Sequence, residues 1–146
     1  MKTIYCNTVA LYNKTHTYHI NSIDECYNLH SETGSQWEEL VDAIDTIGEQ
    51  MKVLGSSVPS ISECLAVSII KDVTTDKIAE ELYKDNETLK ALLESTSKQN
   101  LDEGTKNIIA DRILVHGKAC LKLKSLIERE HEEKEAPKQR ISPMFR

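Results

Sequence analysis

The stretch WEELVDAIDTIGEQMKVLG, residues 37–55, decides the fold of this 146-residue chain. Its apolar side chains recur three or four positions apart, which is the spacing of one face of an α-helix. The members of this stripe are Trp37, Leu40, Val41, Ile44, Ile47, Met51 and Leu54. Gly55 follows directly and is typical of the residue that ends a helix. Because a long amphipathic helix must bury its apolar face, the stretch predicts packing against other helices.

The sequence before this stretch predicts a first helix and the N-terminus of the helix that contains residues 37–55. A first helix is expected over about residues 3–19, where apolar and aromatic residues again recur at helical spacing. Ser22 with Glu25 three residues later has the form of a capping box. The helix that carries the deciding stretch is therefore expected to begin at Ser22 and to reach about Leu54.

The sequence after the stretch predicts three helices and a tail. A short helix is expected over about residues 61–71, a third long helix ends near Ser97, and the last ends near Glu130. Their expected capping residues are Ser60 with Glu63, Thr74 or Thr75, and Asn100 with Glu103. Long helices with short joints pack as an antiparallel four-helix bundle. We predict an all-α bundle over residues 1–133, with the short extra helix between helices two and three, and a mobile polar tail over 134–146.

The composition narrows the possible classes of function. The formal charge of −6 disfavours binding to nucleic-acid backbones and anionic membranes, and it suits the capture of metal cations. The four cysteines lie far apart without a CxxC pair, which is typical of free thiols in a reducing cytosol. No signal-peptide pattern and no apolar run of about 18 residues is visible, so a cytoplasmic protein without a membrane span is expected.

Two carboxylates on the second long helix are candidate metal ligands. Asp45 and Glu49 are four residues apart and so share a helix face, and Gly48 removes bulk between them. A solvated helix face is the alternative. His30 lies 15 residues before Asp45 on the same helix, or about 22 Å along its axis, so one chain cannot bring both to one metal. A two-fold axis near residues 37–38 would set His30 beside the carboxylates of a second copy.

His19, at the end of the first helix, is the second histidine of interest. It would have to approach His30 around the loop over residues 20–25 to share a site with it. Carboxylates paired on one face can bind a hard or borderline cation, and imidazole is a further ligand type for such ions. The alternative for each histidine is a packed or surface imidazole without a metal.

These residues lie in a pattern that resembles the Dps family of mini-ferritins (DNA-binding proteins from starved cells). The similar runs are LYNKTHTYHIN at residues 11–21, LH at 29–30, the deciding stretch at 37–55, and DEGTKNIIADRILVHGK at 102–118. The positions that match the family's metal ligands are His19, His30, Asp45 and Glu49. The resemblance spans about residues 9–130 and implies a ferritin-like four-helix bundle.

The resemblance also implies an activity. Family members form hollow twelve-subunit shells, bind Fe(II) between two-fold-related subunits, oxidise it, preferably with hydrogen peroxide, and store the ferric mineral. It thereby implies an iron-binding ferroxidase and homo-oligomer that protects against oxidative damage, with His19, His30, Asp45 and Glu49 as catalytic metal ligands. The alternative is a non-catalytic shell of the same kind that binds or protects DNA, with a degraded metal site.

The chain departs from the family pattern near the expected site. Ile20 stands where the family usually has a tryptophan after the first histidine, and Gly34 stands where an acid is common. A second tryptophan of the last helix is replaced around Cys120 and Leu121. These departures affect the expected chemistry more than the expected ligand set.

Other polar residues have different expected roles. The pair Glu128 and His131 is one Glu-x-x-His motif, whereas a di-iron site inside one bundle needs two, so a solvated helix face is expected there. His116 is expected to be packed or hydrogen-bonded. By resemblance, Asp102, Glu103 and Asp111 are candidates to line a three-fold iron pore. The basic tail residues Lys134, Lys138, Arg140 and Arg146 are candidates for weak DNA contact.

Overall fold

The computed structural model describes residues 1–23, 26–72 and 75–135, with side chains through residue 132. Its helices are α1 (Lys2–Asn21), α2 (Tyr27–Val53), α3 (Ile61–Val67), α4 (Ile78–Ser97) and α5 (Glu103–Glu135). No strand occurs among these described residues. The predicted all-α class is therefore confirmed.

The four long helices pack as a bundle around one core. α1 packs along α2, α4 packs along α5, and the pairs meet through α2 with α5 and α1 with α4. The short α3 lies against α1. The most deeply buried apolar side chains come from all four long helices and include Leu11, Leu40, Ile47, Leu82, Leu89, Ile109 and Leu123. The predicted four-helix bundle, with an extra helix in the connection between helices two and three, is confirmed.

Two of the predicted helix ends are present in the structure. The capping box at Ser60 and Glu63 is complete, because each side chain bonds the backbone N–H of the other residue. Gly55 has φ 74°, a conformation that glycine adopts without a steric penalty. Its N–H donates to the carbonyl of Lys52, and the N–H of Ser56 donates to the carbonyl of Met51. This pair of bonds is the Schellman motif, which satisfies the last carbonyls of α2.

The prediction that Ser22 begins the second helix is wrong. α2 begins at Tyr27 after Cys26, and Glu25 lies outside the described residues. Ser22 instead ends α1, where its hydroxyl donates to the carbonyl of His19 at 3.1 Å. A serine can serve either end of a helix, and here it satisfies a terminal carbonyl rather than a terminal N–H.

The short third helix ends earlier than the predicted residue 71. It stops at Val67 because the Asn7 side-chain oxygen accepts hydrogen bonds from the Ser68 hydroxyl and from the N–H groups of Ile69 and Ile70. These two amides are therefore engaged by α1 and do not bond to carbonyls within a continuing helix. The contact ties the connection to α1.

The last two helices also begin differently from the prediction. α4 begins at Ile78 after Lys77, and the Thr75 hydroxyl accepts the N–H of Lys77 in a local turn, while Thr74 lies outside the described residues. Asp102, rather than Asn100, caps α5 by accepting the N–H of Thr105. α5 continues to Glu135, beyond the predicted end near Glu130.

The predicted apolar stripe of α2 is not buried throughout. Leu40, Ile47 and Met51 are buried, but Val41 and Leu54 are each 46% exposed. α1 and α5 pack along α2 and leave Val41 on an open groove that residues of α1 also line. A single chain therefore leaves apolar surface on the helix that carries Asp45 and Glu49.

Candidate metal centre

His19 and His30 meet where α1 ends and α2 begins. Their rings stack with centroids 4.0 Å apart and planes 12° apart. Each Nδ1 lies within hydrogen-bond distance of the other residue's backbone carbonyl, at 3.0 Å from His19 to His30 O and at 2.8 Å from His30 to His19 O. A carbonyl can only accept, so both Nδ1 atoms must carry the proton and donate.

This exchange of hydrogen bonds determines which ring nitrogen of each imidazole carries the proton. When Nδ1 carries the proton of a neutral ring, the lone pair is on Nε2, which is then the atom available to a metal. A metal-ligating histidine commonly donates its other ring nitrogen to a backbone carbonyl or carboxylate, which orients the ring. The Thr33 hydroxyl lies 3.4 Å from His19 Nδ1 and donates to backbone carbonyls of α2, so it borders the same arrangement.

Two residues that the ligand pattern did not single out border this pair. Gly34 faces the His19 ring so closely that an added Cβ would lie 2.9 Å from His19 Cε1. Trp37 is also close, with its ring centroid 6.0 Å from that of His19 and 4.7 Å from that of His16. The sequence offered one signal for this contact, which is a glycine inside a helix four residues after a candidate ligand. Glycine weakens a helix, so its presence there often means that a neighbouring group needs the space.

Asp45 and Glu49 lie on an open groove of about 550 Å³, lined also by Tyr5, Gly48 and Lys52. Both carboxylates are exposed, and within the described part of the chain neither has a hydrogen bond or an ion pair. Gly48 permits close packing of Tyr5, whose Cε2 would lie 3.3 Å from an added Cβ. Burial raises the pKa of Tyr5, and the neighbouring thiols and Asp45 raise it further. The Tyr5 phenol therefore keeps its proton and lines the groove as an uncharged side chain.

The structure separates the two halves of this ligand set within one chain. α2 is continuous over Tyr27–Val53, so His30 and Asp45 remain about 22 Å apart along it. Among the described residues, no group of three or more His, Cys, Asp or Glu side chains is close enough to hold a metal ion. One chain thus presents an imidazole pair at one place and a carboxylate pair at another.

The polar residues inside the bundle hydrogen-bond to one another instead. Asn86 Nδ2 donates to the Leu82 carbonyl, so its Oδ1 accepts from Gln36 Nε2 at 2.8 Å and from His116 Nδ1 at 2.8 Å. Arg112 then donates to His116 Nε2 and forms an ion pair with Glu39. This network joins α2, α4 and α5 through side chains that already have partners.

The network removes His116 from consideration as a ligand. Burial lowers the pKa of His116 to about 3, and the charge of Arg112 lowers it in the same direction. The ring is therefore neutral, and both nitrogens are used, as expected for a hydrogen-bonded imidazole. Glu128 and His131 are exposed on α5, and Glu128 lies 4.0 Å from Lys124. Neither feature provides a metal site inside the bundle.

The three candidate pore acids differ in their surroundings. The Asp102 carboxylate is engaged as the cap of α5, where it accepts from Thr105 and from Gln50. The Thr105 bonds lower the pKa of Asp102. Glu103 is exposed and paired with Lys106 at 2.7 Å. Asp111 is exposed beside an open groove of about 280 Å³ between α2 and α5. Of the three, Asp111 is free of hydrogen bonds and ion pairs within the described residues.

The remaining sequence predictions concern thiols, membranes and the tail. All four cysteines are free, and Cys6, Cys64 and Cys120 are buried. None of the described helices combines the length and the apolar character that a bilayer crossing requires. The candidate DNA contacts Lys138, Arg140 and Arg146, and the side chain of Lys134, lie outside what the structure describes.

Comparison with known proteins identifies the fold. No family model matches the chain, and no curated protein sequence matches it. Among solved structures, it resembles Dps from Thermosynechococcus elongatus, with a TM-score of 0.79, 21% identity and coverage of 86% of each chain. It also resembles a dodecameric thioferritin, the bacterioferritin-related protein from Bacteroides fragilis, with a TM-score of 0.84 and 9% identity over 94% of this chain and 88% of that one. The fold is that of the Dps-like and ferritin-like helical bundles, as the resemblance in sequence implied.

Proposed function

We propose that this chain is a mini-ferritin of the Dps kind, which binds Fe(II) between two subunits, oxidises it and stores the ferric product. The observation that carries the proposal is the His19–His30 pair, in which hydrogen bonds to opposite carbonyls fix both Nδ1 atoms and leave both Nε2 atoms for a metal. The Dps fold and the free carboxylates of Asp45 and Glu49 support the same function.

The two halves of the ligand set require a second copy of the chain. His30 and Asp45 are about 22 Å apart along α2 but only about 60° apart around it, so both lie toward one side of the helix. An antiparallel α2 from a second copy, related by a two-fold axis near residues 37–38, brings its carboxylates to the first copy's histidines. Each pair of subunits then holds two equivalent sites.

The surface around these residues supports such an interface. An apolar groove of about 270 Å³ adjoins the carboxylate groove and is lined by Tyr5, Val9, Tyr12, Asn13, Val41, Ile44 and Ile61. Val41, near the middle of this surface, is 46% exposed in one chain. Exposed apolar surface of this kind marks an interaction site, and a second copy would bury it. We propose a homo-oligomeric shell, with twelve subunits by likeness to the dodecameric thioferritin.

The proposed ligands suit iron as the substrate. Carboxylates stabilise the ferric product through charge, and imidazole nitrogens suit the ferrous ion. Hydrogen peroxide accepts one electron from each of two Fe(II) ions, its O–O bond breaks, and two protons are taken up to form two waters. The formal charge of −6 per chain attracts cations to the shell.

The deciding experiment removes the carboxylates. Purified shell is loaded with Fe(II) without oxygen, peroxide is added, and the absorbance of the ferric product is followed. We expect Asp45→Ala with Glu49→Ala to slow oxidation at least about 100-fold, because the loss of ligands removes both the site and the charge. Glu128→Ala with Glu132→Ala is the matched control, since these acids are also exposed and four residues apart. Oxidation by the Asp45/Glu49 variant at the parent's rate would show that the site assignment is wrong.

A further inference from the structure

Gly34 lies against the edge of the His19 ring that carries both nitrogens. An added Cβ would lie 2.9 Å from Cε1, 3.2 Å from Nδ1 and 3.7 Å from Nε2. The first of these distances is shorter than carbon atoms can approach without displacement. Even alanine therefore cannot occupy position 34 while His19 keeps its observed position.

The displacement would fall on the imidazole rather than on the bundle. Gly34 lies on the second turn of α2, whose backbone is held by helical hydrogen bonds, whereas the His19 ring can turn about its own side-chain bonds. Turning the ring would break the bond from Nδ1 to the His30 carbonyl and would separate the stacked pair. The absence of a side chain at position 34 thus allows the His19 ring to keep the orientation that the proposed site needs.

We propose that Gly34 is a positioning residue, which holds His19 stacked on His30. It thereby makes this half of the site a pair of imidazole nitrogen donors selective for borderline divalent cations. The inference rests on the proposed metal site and adds the selectivity of that site. A carboxylate at position 34 would need the space that the His19 ring occupies. The nearest acid in sequence, Glu32, is engaged by Lys122 at 3.2 Å.

The selectivity follows from the donor atoms. Two neutral nitrogens favour Fe(II), Co(II) or Zn(II), whereas Mg(II) and Ca(II) prefer oxygen ligands. The partner's carboxylates would complete the coordination but would not remove this preference. We therefore expect a large excess of Mg(II) to leave Co(II) bound.

Cobalt titration of the assembled shell tests the inference without redox chemistry. Co(II) binding is followed by its visible absorption in the parent, in Gly34→Ala and in Gly117→Ala. Gly117 is the matched control, because it is also helical and an added Cβ would meet only Lys90 Cε at 4.0 Å. We expect Gly34→Ala to bind Co(II) about 10- to 100-fold more weakly, as when the support of a ligating histidine is lost. Gly117→Ala should bind as the parent does.

A second readout in the metal-free protein separates positioning from general damage. Solid-state ¹⁵N spectra of histidine-labelled shell should show His19 as the Nδ1–H tautomer in the parent and in Gly117→Ala. In Gly34→Ala the signal of this tautomer should be lost. In a His19→Ala background, where the obstructing ring is absent, Gly34→Ala should have no further effect on Co(II) affinity.

The outcomes distinguish this inference from the proposed function. If the parent binds no Co(II), the proposed metal site is wrong, and the metal-free spectra still decide whether Gly34 positions His19. If the parent binds Co(II) and Gly34→Ala binds it equally with an unchanged tautomer, the role of Gly34 is refuted. Displacement of Co(II) from the parent by excess Mg(II) would refute the selectivity.

Discussion

His116 shows at the residue scale how burial turns a titratable group into a determinant of stability. Its pKa falls from the usual 6.5 to about 3, chiefly because burial disfavours the charged ring. The folded chain therefore stays unprotonated at His116 while the unfolded chain takes up a proton below pH 6.5. This contribution to stability is fully present above the unfolded pKa and is lost progressively as the pH falls toward 3.

We expect this residue alone to lower the free energy of unfolding by about 2 kcal/mol between pH 7 and pH 5. His116→Gln cannot titrate and should lose that part of the pH dependence, although it is less stable at pH 7. Urea unfolding of both proteins at each pH, at equal protein concentration, measures the difference. His131→Gln is the control, because His131 is exposed. An equal pH dependence in parent and His116→Gln would contradict the assignment.

The sequence indicated the candidate ligands but not the contacts that hold them in place. His19, His30, Asp45 and Glu49 were selected by spacing and by resemblance, and the structure does bring the two histidines together. The groups that contact these residues come from other helices, and the spacing of residues along one helix cannot predict them. From the sequence alone Gly34 is a position where an acid is common, whereas in the structure the His19 ring fills the space that a side chain would need.

At the scale of elements, helix existence followed from apolar periodicity, but several helix ends did not. The ends at Gly55 and Ser60 are local, because every bond involved lies within a few residues. The end of α3 is not local, since it depends on Asn7 in another helix. A capping pattern is therefore decisive only where no distant side chain competes for the same backbone groups.

This dependence gives a prediction for the connection after α3. Asn7→Ala removes the acceptor shared by Ser68, Ile69 and Ile70, and it should destabilise the chain by about 1–3 kcal/mol, because the Ser68 hydroxyl and the Ile69 amide lose this partner. Hydrogen exchange should quicken at the amide of Ile69 more than at that of Ile70, whose N–H keeps the Ser68 hydroxyl at 3.0 Å. Asn13→Ala is the matched control on α1, since Asn13 makes an exposed bond to Asp72. Unchanged exchange in Asn7→Ala would show that other contacts hold this segment.

At the scale of the whole molecule, the unbroken α2 means that the proposed site needs two chains. Its length separates His30 from Asp45 in each copy, so the proposed activity would depend on the same surface as the proposed assembly. Neither a monomer nor a dimer joined through another face would hold the four proposed ligands together. This dependence can be tested without knowing which metal the isolated protein carries.

Subunit complementation tests this dependence directly. One variant carries His19→Ala with His30→Ala, the other carries Asp45→Ala with Glu49→Ala, and neither should oxidise Fe(II) on its own. A mixed dimer joins the intact histidines of one chain to the intact carboxylates of its partner and so restores one of its two sites. With equal, random co-assembly, about a quarter of all sites are intact, so about a quarter of the parent rate should return. Mixing the shells without disassembly is the control and should restore nothing. Failure of co-assembled shells to regain activity, with assembly verified by light scattering, would mean that the four residues do not form one site across the two-fold axis.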